Sequence, residues 1–403
     1  MPGTPAFRFR PRDLHRGAAL TLALLGALGA AVSTGYWDDG DEHRVETVFA
    51  GTGTPAPGGA GPDADGAAPR PGTADREAVA RAAAEAVAEG KSGKKAAQEV
   101  VSRSGDRWGV VYDAGEYQAF AQEMDGRWTG VGLWVERRAD GRIDVERVQP
   151  GGPAARAGIR AGDRLRGVDG REVAGMDLAR VVALLRGEAG TPVVLTLERD
   201  GAVRTHTVRR EQLRTEPVTV RQLPGGVTVI KVASFTRGSG ERVRQAVRAA
   251  PPGGGLMLDL RGNPGGLVAE AVTAASAFLD GGLVATYDVR GTERALYAEP
   301  GGDTGRPLVT LVDGGTMSAA ELVTGALQDR GRAVAVGSRT FGKGSVQMPT
   351  ELPDGSVAEL TVGTYRTPAG RSLEGRGITP DLAAGERVEE RARTVLGGLG
   401  VGP

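Results

Sequence analysis

Two residues in the C-terminal half of the chain have the types and settings needed for covalent chemistry. Ser318 lies in LVDGGTMSAAELVTGALQD, where an apolar strand-like run gives way to a helical pattern, and Lys343 lies in RTFGKGSVQ between Gly342 and Gly344 and beside Phe341. A serine hydroxyl attacks a carbonyl only when a base takes its proton, and the usual base is histidine. The three histidines are His15, His43 and His206, and none falls in the segment 210–385 that holds Ser318. The absence of cysteine excludes thiolate nucleophiles, disulfides and thiolate metal sites. Lysine is the remaining base. Of 50 cationic residues only Lys91, Lys94, Lys95, Lys231 and Lys343 are lysines, so a lysine flanked by glycines stands out. Arginine stays protonated, whereas lysine loses its proton when desolvated. Moving its pKa from about 10.4 toward 7 or 8 costs roughly 3 to 5 kcal/mol, a penalty that burial supplies. If GKGSVQ is extended, Lys343, Ser345 and Gln347 share a face, which places the Gln347 amide to orient the lysine.

Each of these residues also has a purely structural reading. Ser318 and Glu321 form an S-x-x-E capping box, and serine is a favoured helix N-cap. Lys343 reads equally as a surface cation between turn glycines, and Lys231 in VTVIKVASF as a strand-edge charge. A second loop supports chemistry: LMLDLRGNPGG leaves a buried strand at Asp259 and Leu260 and turns through Gly262–Gly266 before a helix. Such a turn aims backbone N–H groups at a negative oxygen. A phosphate loop fails as the explanation, because the Lys-Ser/Thr ending is missing.

The elements that must position these residues alternate. GGVTVIKVASF, GGGLMLDL, PLVTLVDGG, AVAVGSRT and AELTVGTYRT read as strands, with LVAEAVTAASAFL and AAELVTGALQDR as helices between them. That pattern is an α/β layer structure over 210–385, followed by a tail at 386–403. Residues 130–209 read as a β-rich module of short strands, Asp-Gly and Pro turns and one helix, MDLARVVALLRG. Residues 73–129 form an Ala-rich helical region, with Thr73 as a helix cap and a concentration of aromatics between Gly105 and Trp128. Residues 38–72 are a Pro/Gly/Ala-rich linker. In residues 1–37, Arg8, Arg10, Arg12 and Arg16 precede an uncharged run from Gly17 to Trp37, with acidic residues beyond it. This pattern implies a single-pass membrane anchor with the bulk of the chain outside the cytoplasm, the alternative being a cleaved signal peptide and secretion. A formal net charge of zero predicts no nucleic-acid partner.

Several motifs together carry a family resemblance. GVGLWV and GPAARAGIRAGDRL resemble a PDZ domain, in which Gly130, Val131, Gly132 and Leu133 would receive a peptide's terminal carboxylate on backbone N–H groups. With DLRGNPGG, GGTMSAAELVTGALQD, TFGKGSVQ and YRTPAGRSLEGRGITPD added in order, residues 105–381 resemble the C-terminal-processing, or tail-specific, serine peptidases. The resemblance implies an α/β multidomain fold with a PDZ domain ahead of a Ser-Lys peptidase core. It makes Ser318 the nucleophile, Lys343 the general base and Gln347 the third member. The N–H of Ala319 and one from Gly265 or Gly266 would form the oxyanion hole. No metal or cofactor is implied, and the expected partners are extracytoplasmic proteins or peptides with apolar C-termini. The oligomeric state is left open, a homo-oligomer included, and the competing reading is a PDZ-bearing adaptor on a catalytically silent fold. One departure is Met317, where the family often has a small residue. Asp329, eleven residues after Ser318, reads as structural, paired with Arg330 or Arg332, since a carboxylate beside Lys343 would favour the ammonium.

Overall fold

The computed structural model describes residues 72–138, 140–289, 292–385 and 387–402. The expected anchor and most of the expected linker lie outside them. Among the described residues, no helix is long and apolar enough to cross a membrane. The described chain divides into two units, one of residues 114–123 and 127–215, the other of 72–113, 124–126 and 216–402. The region 73–129, read from sequence as one helical segment, is thus split between them.

The larger unit is built on a six-stranded sheet in the order Val218–Leu223, Val227–Val232, Leu256–Asp259, Leu308–Val312, Val334–Gly337, Leu382–Ala383. The first pair is antiparallel and the rest are parallel. Its central strands, Leu256–Asp259 and Leu308–Val312, are buried on both faces because both are covered. Ile230, Val232, Leu256, Leu258 and Leu308 pack with Val243, Ala271, Leu322 and Val323 from the helices Ser239–Ala249, Val268–Ser276 and Ala319–Asp329. The alternate residues Val229, Met257, Val309, Leu311 and Val336 pack with Val388, Ala392 and Leu396 of the helix Val388–Gly398. Parallel strands place the turns after Leu256–Asp259 and Leu308–Val312 at one edge of the sheet, where α/β folds carry their sites. Lys231 is not on an edge strand as expected: its strand lies between two others, and its exposed ammonium sits 3.7 Å from Asp259.

A second, antiparallel sheet is not evident from the alternating pattern. Val357–Arg366, expected in the α/β layer, instead pairs with Val110–Tyr112, Leu283–Val289 and Ser345–Glu351. The helices Arg76–Ala88 and Gly93–Ser104 bury Val79, Ala83, Ala97 and Val101 against Val111, Ala358 and Leu360 of this sheet and Leu352 just beyond it. The first helix is capped by Asp75, whose carboxylate accepts the Glu77 N–H, and not by Thr73.

Asp106 joins the helices to the sheet. Its carboxylate accepts the N–H groups of Trp108, Gly109 and Thr361 and the Thr361 hydroxyl, at 2.7 to 3.1 Å.

The smaller unit has the sheet order Leu133–Arg137, Ile143–Val148, Arg164–Val168, Pro192–Arg199, Ala202–Arg209, with the helix Leu178–Leu185. Its core gathers Val135, Ile143, Val145, Leu165, Val181, Val193 and Leu195. Arg127–Gly130 pairs with Glu211–Arg214, a few residues beyond the expected module at each end, and the unit also takes in residues 114–123.

Because Asp106 satisfies several donors at once, Asp106→Ala strands buried N–H groups, each costing about 1 to 3 kcal/mol. Urea unfolding of this variant should show a loss of about 3 kcal/mol; a change within 0.5 kcal/mol would contradict the assigned role.

Candidate active site

The turn after Leu308–Val312 carries Ser318 into the helix Ala319–Asp329. Ser318 is buried, with φ 54° and ψ −119°, a conformation that strains any residue bearing a Cβ. Such strain costs about 1 to 3 kcal/mol and persists only where neighbours enforce it. Here the enforcing group is Glu321. Its fully buried carboxylate accepts the Ser318 N–H at 2.9 Å, the Lys343 N–H at 2.9 Å, the Gly342 N–H at 2.7 Å and the Thr340 hydroxyl at 2.5 Å. Glu321 was expected as a helix cap; it caps and also ties the serine turn to the lysine loop. Since Ser318 and Lys343 donate to the same oxygen, Oε2, their backbone nitrogens lie within about 6 Å of each other. Burial raises the Glu321 pKa, and these donors oppose the rise.

The glycine turn lies against the serine. A Cβ on Gly265 would come within 2.9 Å of the Ser318 Cβ and 3.1 Å of the Ala319 nitrogen. Asn263 fixes this turn: its side chain donates to the Val232 carbonyl at 3.0 Å, and its Oδ1 accepts the Gly265 N–H at 2.8 Å. Gly265 therefore has no N–H to offer, which corrects its place in the expected oxyanion hole; its role is to leave room for Ser318. The N–H groups of Gly266 and Ala319 have no acceptor among the described residues.

Lys343 is buried, and desolvation pulls its pKa down to about 8. Glu359, Glu374, Asp106 and Glu321 act against that shift. The ammonium nitrogen lies 5.0 Å from the centre of the Trp108 ring, which stands 5.9 Å from Phe341. Trp108 is held by its indole N–H, which donates to Glu374, and the other Glu374 oxygen accepts the Gly344 N–H at 2.9 Å. Glu359 is buried with one oxygen lacking any hydrogen-bond partner, and burial lifts its pKa to about 7. Trp108, Glu359 and Glu374 were not singled out from the sequence, although SLEGRG lay within a quoted motif and Trp108 within the aromatic-rich segment.

Gln347 is buried on the expected face, but no hydrogen bond joins it to Lys343. Its amide nitrogen donates to the Ser345 hydroxyl at 2.8 Å and toward Thr361 at 3.4 Å, since these hydroxyls lie nearer. Its carbonyl oxygen accepts no hydrogen bond among the described residues. Asp329 does not pair with Arg330 or Arg332. Its carboxylate accepts the Ala369 N–H at 2.9 Å and pairs with Arg371, while Arg330 and Arg332 bond to backbone carbonyls. In the smaller unit, Gly130, Val131, Gly132 and Leu133 are all buried; Gly132 has φ +80°, and a Cβ on Gly130 would strike Trp128 at 2.7 Å.

A serine at a strained strand-to-helix turn, two unclaimed N–H groups beside it and a desolvated lysine on the adjoining loop can together support acyl transfer. The sequence profile of peptidase family S41 matches residues 226–384, and that of a PDZ domain matches residues 145–199. The carboxy-terminal processing protease CtpA of Bacillus subtilis (strain 168) is 32% identical over 294 residues, covering 72% of this chain and 63% of that protein. The chloroplastic C-terminal processing peptidase of Tetradesmus obliquus is 38% identical over 280 residues, covering 64% and 60%. The chain thus spans about three-fifths of the length of these curated relatives. The solved structure of a photosystem II D1 C-terminal processing protease is 33% identical, covers 76% of this chain and 86% of that one, and superposes with a TM-score of 0.51. The chain belongs to peptidase family S41, among the C-terminal processing proteases that carry a PDZ domain.

Two outcomes follow. Glu321→Gln replaces one acceptor oxygen by a donor facing buried donors, so it should lower stability by about 2 to 4 kcal/mol and reduce any hydrolytic rate; wild-type stability in chemical denaturation would contradict it. Ionised Glu359 favours the Lys343 ammonium, so Glu359→Gln should move the ascending limb of a pH–rate profile down by about 0.5 to 1 unit. An unmoved or raised limb would contradict that coupling.

Proposed function

We propose that the protein is a serine endopeptidase that uses Ser318 and Lys343 to process polypeptides near their C-termini. The observation that carries this reading is the Glu321 carboxylate holding the backbones of both residues, with Lys343 desolvated to a pKa of about 8. At pH 7 about a tenth of the lysine is then free base. In the proposed reaction, neutral Lys343 Nζ takes the Ser318 hydroxyl proton as Oγ bonds to the peptide carbonyl carbon. The Gly266 and Ala319 N–H groups receive the developing oxyanion. The ammonium returns its proton to the leaving amine, giving an acyl-enzyme that water hydrolyses by the same steps. Gln347 acts by positioning, through Ser345 and through its free carbonyl oxygen. The PDZ unit would hold an apolar C-terminal tail at Gly130–Leu133 by strand addition. The N-terminal segment 1–37 would place the enzyme at a membrane with its catalytic part outside the cytoplasm.

The test compares wild type, Ser318→Ala and Lys343→Arg on an unstructured polypeptide with an apolar C-terminus. Both variants should lose at least about a thousandfold in kcat/KM. Cleavage surviving in either variant contradicts the mechanism, and binding without cleavage in wild type favours a peptide-binding adaptor. The wild-type rate should rise tenfold per pH unit below about 8 and level off above it; a flat profile from pH 5 to 9 contradicts a lysine base.

A further inference from the structure

A cleft of about 600 Å3 in the larger unit is lined by Arg339, Arg366, Arg371 and Arg376. Arg371 is neutralised by Asp329. Glu374, the acidic residue of the lining, has both oxygens engaged, one by the Trp108 indole and one by the Gly344 N–H. The other three arginines have no carboxylate within ion-pair distance among the described residues. Arg339 donates to the Arg376 carbonyl at 3.0 Å and Arg366 to the Gly370 carbonyl at 3.3 Å, while the Arg376 side chain serves no bond of the fold. Cations gathered in a concave site repel one another and raise the local potential, which favours an anionic occupant. Guanidinium groups match a carboxylate through paired N–H donors.

The position of the cleft selects among anions. Its wall is bonded to the lysine loop: Gly344 donates to Glu374, and Gly375 donates to the Gly342 carbonyl at 2.9 Å. An added Cβ on Gly342 would meet the Arg376 nitrogen at 3.1 Å, so the wall lies against the loop that carries Lys343, within the length of a few extended residues at about 3.3 Å each. We infer that the arginine-lined cleft is a specificity subsite for Asp and Glu side chains of the substrate, so that an acidic stretch near the scissile bond promotes cleavage. This inference rests on the peptidase reading above.

The full chain is assayed on paired unstructured peptides with the same apolar C-terminus, differing only in three consecutive Asp or Asn residues placed at successive registers around the cleavage point. At low salt the wild-type kcat/KM ratio of Asp to Asn peptide should reach about fivefold to tenfold in one register and shrink in 0.5 M salt. The Arg366→Gln/Arg376→Gln pair should bring the ratio near 1, Arg376→Lys should keep most of it, and Arg294→Gln, on a strand outside the cleft, should leave it unchanged. A wild-type ratio near 1 in every register, or a ratio that the double variant preserves, overturns the subsite. Anisotropy of the fluorescein-labelled Asp peptide on Ser318→Ala gives a readout independent of turnover. Arginine-dependent binding there with no cleavage by wild type would sink the peptidase reading and leave the subsite standing, whereas cleavage with arginine-independent binding would do the reverse.

Discussion

The buried Glu321 carboxylate is the constraint on which the rest of the site depends. Burying an ionised carboxylate is costly unless its oxygens are saturated. Saturation here comes from the serine turn on one side and from Thr340, Gly342 and Lys343 on the other. The two segments are therefore held to the same atoms, and neither can shift without stranding a buried donor. Two sheets meet this demand from opposite ends: the parallel sheet delivers Ser318 after Leu308–Val312, and the antiparallel sheet receives the lysine loop at Ser345–Glu351.

The same hub sets the electrostatics of Lys343. Removal from water lowers its pKa, while Glu359, Glu374, Asp106 and Glu321 raise it, and the balance comes to rest near 8. A lysine with burial alone would bind a proton too weakly to take one from the serine hydroxyl. One exposed among four carboxylates would stay protonated. Trp108 serves both sides of this balance: its ring excludes water from the ammonium and offers its π face to it. Strain at Ser318 and the missing side chain at Gly265 follow from the same packing, since the glycine turn closes to within van der Waals distance of the serine.

The chemistry-bearing residues were legible because composition isolates them. With no cysteine and no histidine in the core segment, Ser318 needed a base, and a lysine between two glycines was conspicuous among arginines. The face shared by Ser345 and Gln347 followed from strand periodicity, and the structure joins the two. Partners distant in sequence were not legible. Trp108 and Asp106 reach the site because Val110–Tyr112 pairs with Val357–Arg366, a register that no local pattern announces. Asp329 was assigned to its sequence neighbours, yet its partner Arg371 comes from the loop that follows the strand Val357–Arg366. The Gly265 N–H could be excluded from the oxyanion hole only once the Asn263 side chain was seen to claim it.

The most direct measurement is an NMR titration of the lysine side chains in the full chain labelled with 13C-lysine. Only five lysines are present, and Lys343→Arg identifies the resonance of interest. The account predicts that this resonance titrates near pH 8 in wild type. A Lys343 midpoint near the ordinary lysine value of 10.5 would contradict the claim that burial around the Glu321 hub makes this lysine a base.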